Sequence, residues 1–119
     1  MTRVAVIDCG TNSIRLLVAD AQARPGVGGE LRDVVRRMEI ARLGEGVDRT
    51  GELADRALAR TFAVIDDYAA QCRELGVERV RVVATSATRD ASNREVFLEG
   101  VRERMGVVPE VLSGDEEAE

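Results

Sequence analysis

The chain contains no histidine and no lysine; all 17 of its basic residues are arginine. Without histidine, imidazole bases, nucleophiles and metal ligands are excluded. Without lysine, so are the Walker-A phosphate loop and Schiff-base chemistry. Cysteine is scarce: Cys9 and Cys72 lie far apart and match no metal spacing. A reduced, cytoplasmic setting is expected from that usage. No apolar run approaches the roughly 20 residues of a membrane span. The N-terminus passes from "MTR" directly into "VAVID", without the apolar core and cleavage site of a secretory signal. Neither a membrane nor a secretory route is expected. Chemistry is left to carboxylates, arginine, hydroxyls, backbone amides or a metal. Arginine as the sole cation suits bidentate phosphate recognition, although an Ala/Val/Arg/Gly-rich chain also carries the imprint of a GC-rich genome.

At 119 residues, 45% hydrophobic and 33% charged, the chain reads as one modest α/β domain or a piece of a larger protein. The net charge of −5 argues against nucleic acid as a partner. Much of it sits in the last five residues, "DEEAE", which hold four carboxylates.

Hydrophobic periodicity divides the chain into elements. "RVAVID" (3–8) reads as a buried strand and "IRLLVAD" (14–20) as its antiparallel partner. "ARPGVGGE" (23–30) reads as a loop, "LRDVVRRMEIARL" (31–43) as a third strand with one solvated face, and "GEGVDRTGE" (44–52) as a Gly-rich connection. From Leu53 to Leu75, Ala54, Leu58, Phe62, Ile65, Ala69 and Cys72 recur at spacings of three and four, one buried helix face closed by Gly76. "RVRVVAT" (79–85) is a fourth strand. Ser92 and Glu95 form a capping box opening a helix to Gly106. "VVPEVLSG" (107–114) supplies a fifth strand, and "DEEAE" the first turn of another helix, where carboxylates suit the dipole. The order is β-β-β-α-β-α-β, a mixed sheet with packed helices, stopping as a helix begins.

The turn "DCGTNS" between the first two strands carries more hydrogen-bonding chemistry than a reversal of direction needs. Gly10 permits close approach of an anion and a positive φ. Thr11, Asn12 and Ser13 offer hydroxyl, amide and N–H donors, and Arg15 a forked guanidinium. The bland alternative is a hairpin whose polar residues satisfy only its own backbone.

"VIDCGTNSIRLLVAD" resembles the first phosphate motif of the superfamily of actin, heat-shock-chaperone ATPases and sugar kinases. Its D-x-G-[ST]-N-S-x-[RH] form is similar to that of the exopolyphosphatase and guanosine-pentaphosphate phosphohydrolase family. "RLGEGVDRTGEL" (42–53), "ATSATRDASN" (84–93) and "VLSGDEEAE" (111–119) agree with it, in order. The resemblance implies a ribonuclease-H-like domain, the first of two. The second phosphate motif and the second half of the cleft are missing from this sequence, so weak activity is expected of these residues alone. It implies hydrolysis of terminal phosphoanhydride bonds of inorganic polyphosphate with Mg²⁺. The alternatives are guanosine pentaphosphate as substrate, a non-catalytic phosphate-binding module, or a kinase of the same superfamily. Glu117 matches the family glutamate that deprotonates the attacking water, and Arg89 an arginine lining the substrate site. Their bland readings are an acidic helix N-terminus and a surface ion pair with Asp90 or Glu95. Asp8 would repel a bare phosphate, so its role is to hold Mg²⁺. Arg42 is open between site contact and sheet-surface salt bridge. Cys9 reads as a small buried hydrophobe, and Thr85, Ser86 and Ser113 have no partnered base in view. A homodimer burying the cleft face stands beside the monomer.

Overall fold

The computed structural model describes residues 2–24 and 27–112. The described residues fold as five strands and four helices: β1 (Thr2–Cys9), β2 (Ser13–Arg24), β3 (Val27–Ile40), α1 (Val47–Thr50), α2 (Asp55–Glu74), β4 (Arg79–Ala84), α3 (Ser86–Asp90), α4 (Arg94–Met105) and β5 (Glu110–Val111). The sheet order is β3-β2-β1-β4-β5. β2 runs antiparallel to β1 and β3, whereas β4 runs parallel to β1 and β5. This is the expected mixed α/β sheet, with the two short helices α1 and α3 added.

Strand alternation sorts β1 into two faces. Ala5, Ile7 and Cys9 are buried, and Ile14, Leu16 and Val18 of β2 lie in the same core. Leu58, Ile65, Tyr68 and Cys72 of α2 and Phe97 and Val101 of α4 complete that core, and each large apolar side chain there contributes about 1.5–3 kcal/mol on full burial. The Tyr68 hydroxyl donates 2.8 Å to the Ile14 carbonyl, pinning α2 to the start of β2. The buried face of α2 is wider than the spacing predicts. Ala57, Thr61 and Tyr68 join it, while Ala54 is the N-cap and Phe62 is only half-buried.

Several boundaries differ from expectation. β2 continues to Arg24 and β3 starts at Val27, so most of the predicted 23–30 loop is strand. Cross-strand bonding outweighs the local Pro and Gly signals there. β3 ends at Ile40, leaving Arg42 beyond the strand, and the 44–52 connection contains α1. Among the described residues the fifth strand is reduced to Glu110–Val111. The predicted last helix turn lies outside the described residues. Gly76 does close α2: at φ +67°, its N–H bonds the Arg73 carbonyl while Val77 N–H reaches Cys72 O, a Schellman arrangement. The Ser92 capping box does not form. Asn93 is the N-cap of α4, and no side chain caps that helix. The Asn93 amide is occupied elsewhere, accepting from Leu53 N–H at 2.8 Å and donating to Leu53 O at 3.0 Å. Bonding both backbone groups of a residue 40 positions away outweighs a local cap.

Candidate phosphate site

The β1–β2 turn is tighter than its six polar residues suggest. The ladder runs to Cys9 and Ile14, and Gly10 N–H donates 2.9 Å to Ser13 O, leaving Thr11 and Asn12 as the tip. Gly10 does not take the expected positive φ. Its glycine requirement is spatial, since a Cβ there would lie 3.2 Å from the Ser13 carbonyl oxygen. Nor do Thr11 and Asn12 have positive φ, so the tip is not one of the primed turns that hairpins favour.

The tip is held by the segment after β3. Ala41 and Arg42 N–H both donate to Asn12 O, at 3.0 and 2.9 Å, and Gly44 N–H donates to Thr11 O at 2.9 Å. Both tip carbonyls, which would repel an anion, are thereby engaged from behind. Arg42 is the one non-glycine residue with positive φ among the described residues, at 53°, a conformation costing of order 1 kcal/mol. That twist lets two successive N–H groups converge on one oxygen. α2 fixes the segment in turn: Arg60 donates to Ala41 O at 2.9 Å, and Arg56 and Arg60 both pair with Glu45. The Arg56 hydrogen bond holds the Glu45 carboxyl below its ordinary range.

Asp8 stands directly opposite Arg15 on β2 and Val83 on β4. Asp8 and Arg15 share, with Val6, Leu17, Arg36 and Met38, an open hollow of about 500 Å³ on the sheet face away from α2. Arg36 is a cation there that sequence reasoning missed. It faces Leu17 across the β2–β3 ladder and pairs with Asp33 at 2.5 Å. Three parallel strands end together nearby, with Thr85 N–H reaching Cys9 O at 3.3 Å and Leu112 N–H reaching Ala84 O at 2.9 Å. Ligands of open α/β sheets bind outside such carboxyl ends.

Arg89 projects from α3 onto the end of β5. Its Nη1 donates to Leu112 O at 2.9 Å and its Nε lies 3.6 Å from the Asp90 carboxylate. The surface pair with Asp90 is therefore present, together with a bond that ties Arg89 to the strand ends. Glu117 lies outside the described residues. Cys9 is the buried hydrophobe expected: burial, with a smaller contribution from Asp8, pushes its thiol up to about 12, which removes it as a nucleophile.

Among the described residues no three His, Cys, Asp or Glu side chains cluster as metal ligands. Asp8 alone supplies a carboxylate at the turn. A single carboxylate suits a hard divalent cation that completes its shell with water and substrate phosphate oxygens.

A ribonuclease-H-like sheet with a braced phosphate-type turn at its strand ends defines the class of actin-like ATPase folds. Residues 18–119 match the Ppx/GppA phosphatase family, and the chain belongs to it. It is 52% identical over 125 residues to "Exopolyphosphatase 2" of Mycobacterium tuberculosis (strain H37Rv), an alignment covering 100% of this chain and 39% of that protein. A crystal structure of the Aquifex aeolicus Ppx/GppA family member superposes with a TM-score of 0.84 at 40% identity, covering 98% of this chain and 36% of that one. An exopolyphosphatase from Cytophaga hutchinsonii gives 0.87 at 28% identity, covering 98% and 36%. The chain thus spans a little over a third of the length of these relatives.

Proposed function

We propose that these residues form the N-terminal, phosphate-binding domain of a two-domain exopolyphosphatase that releases orthophosphate from the ends of inorganic polyphosphate. The second domain and second phosphate motif are assigned to the part of the protein beyond this sequence, in keeping with the share of each relative that the chain covers. The observation that carries the reading is the turn itself: its carbonyls are engaged by residues 41–44, and Asp8 and Arg15 stand opposed beneath it.

In this reading the donors of Thr11, Asn12 and Ser13 bind the terminal phosphate, and Gly10, whose N–H is bonded to Ser13 O, lets it approach the backbone closely. Arg15 and Arg89 offset charge developing on its oxygens. Asp8 would hold Mg²⁺, which supplies further neutralisation of the phosphoanhydride when bound. Glu117 acts as general base, orienting and deprotonating the attacking water. A carboxylate suits that task in a chain without histidine. Both cysteines are free thiols, which supports a reducing, cytoplasmic location.

The test is orthophosphate release from long-chain polyphosphate and from guanosine pentaphosphate by the complete protein with Mg²⁺, for wild type and Glu117→Gln. Expected are release from polyphosphate and its collapse, by about 100-fold or more, in the variant, on the scale of a lost general base. Faster turnover of guanosine pentaphosphate would transfer the assignment to that substrate. Phosphate binding without release from either would leave a binding module. Gel filtration of the same sample reads whether two copies associate.

A further inference from the structure

We propose that Gly44 is a positioning residue for the phosphate turn, and that its missing side chain sets where Thr11 and Asn12 stand. The proposal rests on the phosphate-binding reading of that turn. Gly44 has no positive φ, so its backbone would accept any residue and the requirement must be spatial. A Cβ built there overlaps the Thr11 methyl group, Cγ2, and lies 3.2 Å from Ala87 Cβ. Gly44 is therefore the point where three separate stretches meet: the first turn, the "RLGEG" segment and α3 of "ATSATR".

Which neighbour yields can be decided from how each is held. Ala87 is buried and belongs to α3, whose N-cap Thr85 directly follows β4, accepts from Arg89 N–H and donates its own N–H to Cys9 O. Thr11 lies at an exposed hairpin tip, and the bond from Gly44 N–H to Thr11 O, 2.9 Å, holds tip and brace at contact distance. A methyl group at 44 therefore displaces Thr11, either by turning its side chain, hydroxyl included, or by shifting the tip and loosening that bond, and leaves the core of β1, β2 and α2 in place. Displacing a binding group by even about 1 Å costs up to about 100-fold in rate.

The experiment uses the complete protein with Mg²⁺ and polyphosphate, comparing wild type, Gly44→Ala, Thr11→Ser, the double variant and Gly100→Ala. Thr11→Ser deletes the clashing methyl group and keeps the hydroxyl. With Thr11 intact, Gly44→Ala is expected to lower kcat/KM about tenfold or more, mainly through KM. Added to Thr11→Ser, the same substitution is expected to have little further effect, a coupling that a double-mutant cycle reads directly. Gly100→Ala overpacks Phe62, far from the turn in sequence, and is expected to lower Tm without moving KM. Equal loss with and without Thr11→Ser would overturn the proposal, as would a KM that simply follows Tm across Gly44→Ala and Gly100→Ala.

Failure of the hydrolase reading is separable. If the wild-type protein releases no phosphate, the backbone amide shifts of residues 10–13 on adding inorganic tripolyphosphate become the readout. Shifts in wild type that weaken in Gly44→Ala, with Thr11→Ser removing the difference, uphold the positioning role. Wild-type shifts that Gly44→Ala leaves unchanged, or no shifts in wild type, overturn it.

Discussion

Arg3 and Asp20 show how much one side-chain pair can organise at the edge of the fold. Arg3 on β1 holds both Asp20 oxygens on β2, at 2.8 and 3.1 Å, and donates a third bond to Leu75 O at the end of α2. The Arg3 hydrogen bond holds the Asp20 carboxyl below its ordinary range, against the opposing effect of burial. A carboxyl lowered in the folded state stabilises above the unfolded value, near about pH 4, and loses that contribution as pH falls through the folded value. Asp20→Asn is therefore expected to lower Tm at neutral pH, with the gap to wild type closing below about pH 4. Thermal melts of both proteins from neutral to strongly acidic pH check this, and a gap that persists in acid would place its origin outside ionisation. Thr61 makes the opposite kind of prediction. Its hydroxyl is buried in the middle of α2 without a partner among the described residues. Replacing an unsatisfied polar group by an apolar one of similar shape is neutral or stabilising, so Thr61→Val is expected to raise stability by up to about 1 kcal/mol. Urea unfolding reads the sign.

At the scale of elements, the start of α4 separates local from tertiary logic. "SNRE" carries a capping pattern, yet no side chain caps the helix and Asn93 clamps Leu53, just before α2. Asn93→Ala should thus cost about 1–3 kcal/mol by leaving a part-buried N–H and C=O unpaired. Ser92→Ala should stay within about 0.5 kcal/mol, as for a surface site. A capping box would require the reverse ranking, so chemical denaturation of the two variants decides between them. The α2–α4 interface is packed as closely. Phe62 stacks on Phe97 with ring centroids 6.4 Å apart, and a Cβ at Gly100 would enter the Phe62 ring. Gly100→Ala is expected to cost about 1–3 kcal/mol through overpacking.

Across the whole molecule, the sheet is covered by helices on one face and carries the hollow of Asp8, Arg15 and Arg36 on the other. β1 is bonded on both sides, by β2 and β4, whereas β3 and β5 are edges. Native-state hydrogen exchange should be slowest in β1 and in the α2 face around Ile65 and Tyr68, and faster by orders of magnitude along β3 and at β5. Uniform protection across all five strands would contradict this ranking.

Local pattern was enough for much of this architecture. β1, β2 and α2 were legible because apolar residues at periods of two and three to four can bury one face in only one way. The hairpin between β1 and β2 was legible from small residues between two apolar runs, whereas phosphate binding there is proposed from the turn's resemblance to one family. Other features depend on groups brought together from distant positions, and these only the tertiary structure decided. Asn93 abandons its cap because Leu53 arrives with two unpaired backbone groups. Arg42 accepts a left-handed backbone because the Asn12 carbonyl lies within reach of two N–H groups. Gly44 leaves no open space for a side chain because the Thr11 methyl group and Ala87 Cβ stand where a Cβ would go. Sequence by itself determines which surfaces must be buried; what packs against them, and at what distance, is settled only when the strands and helices assemble.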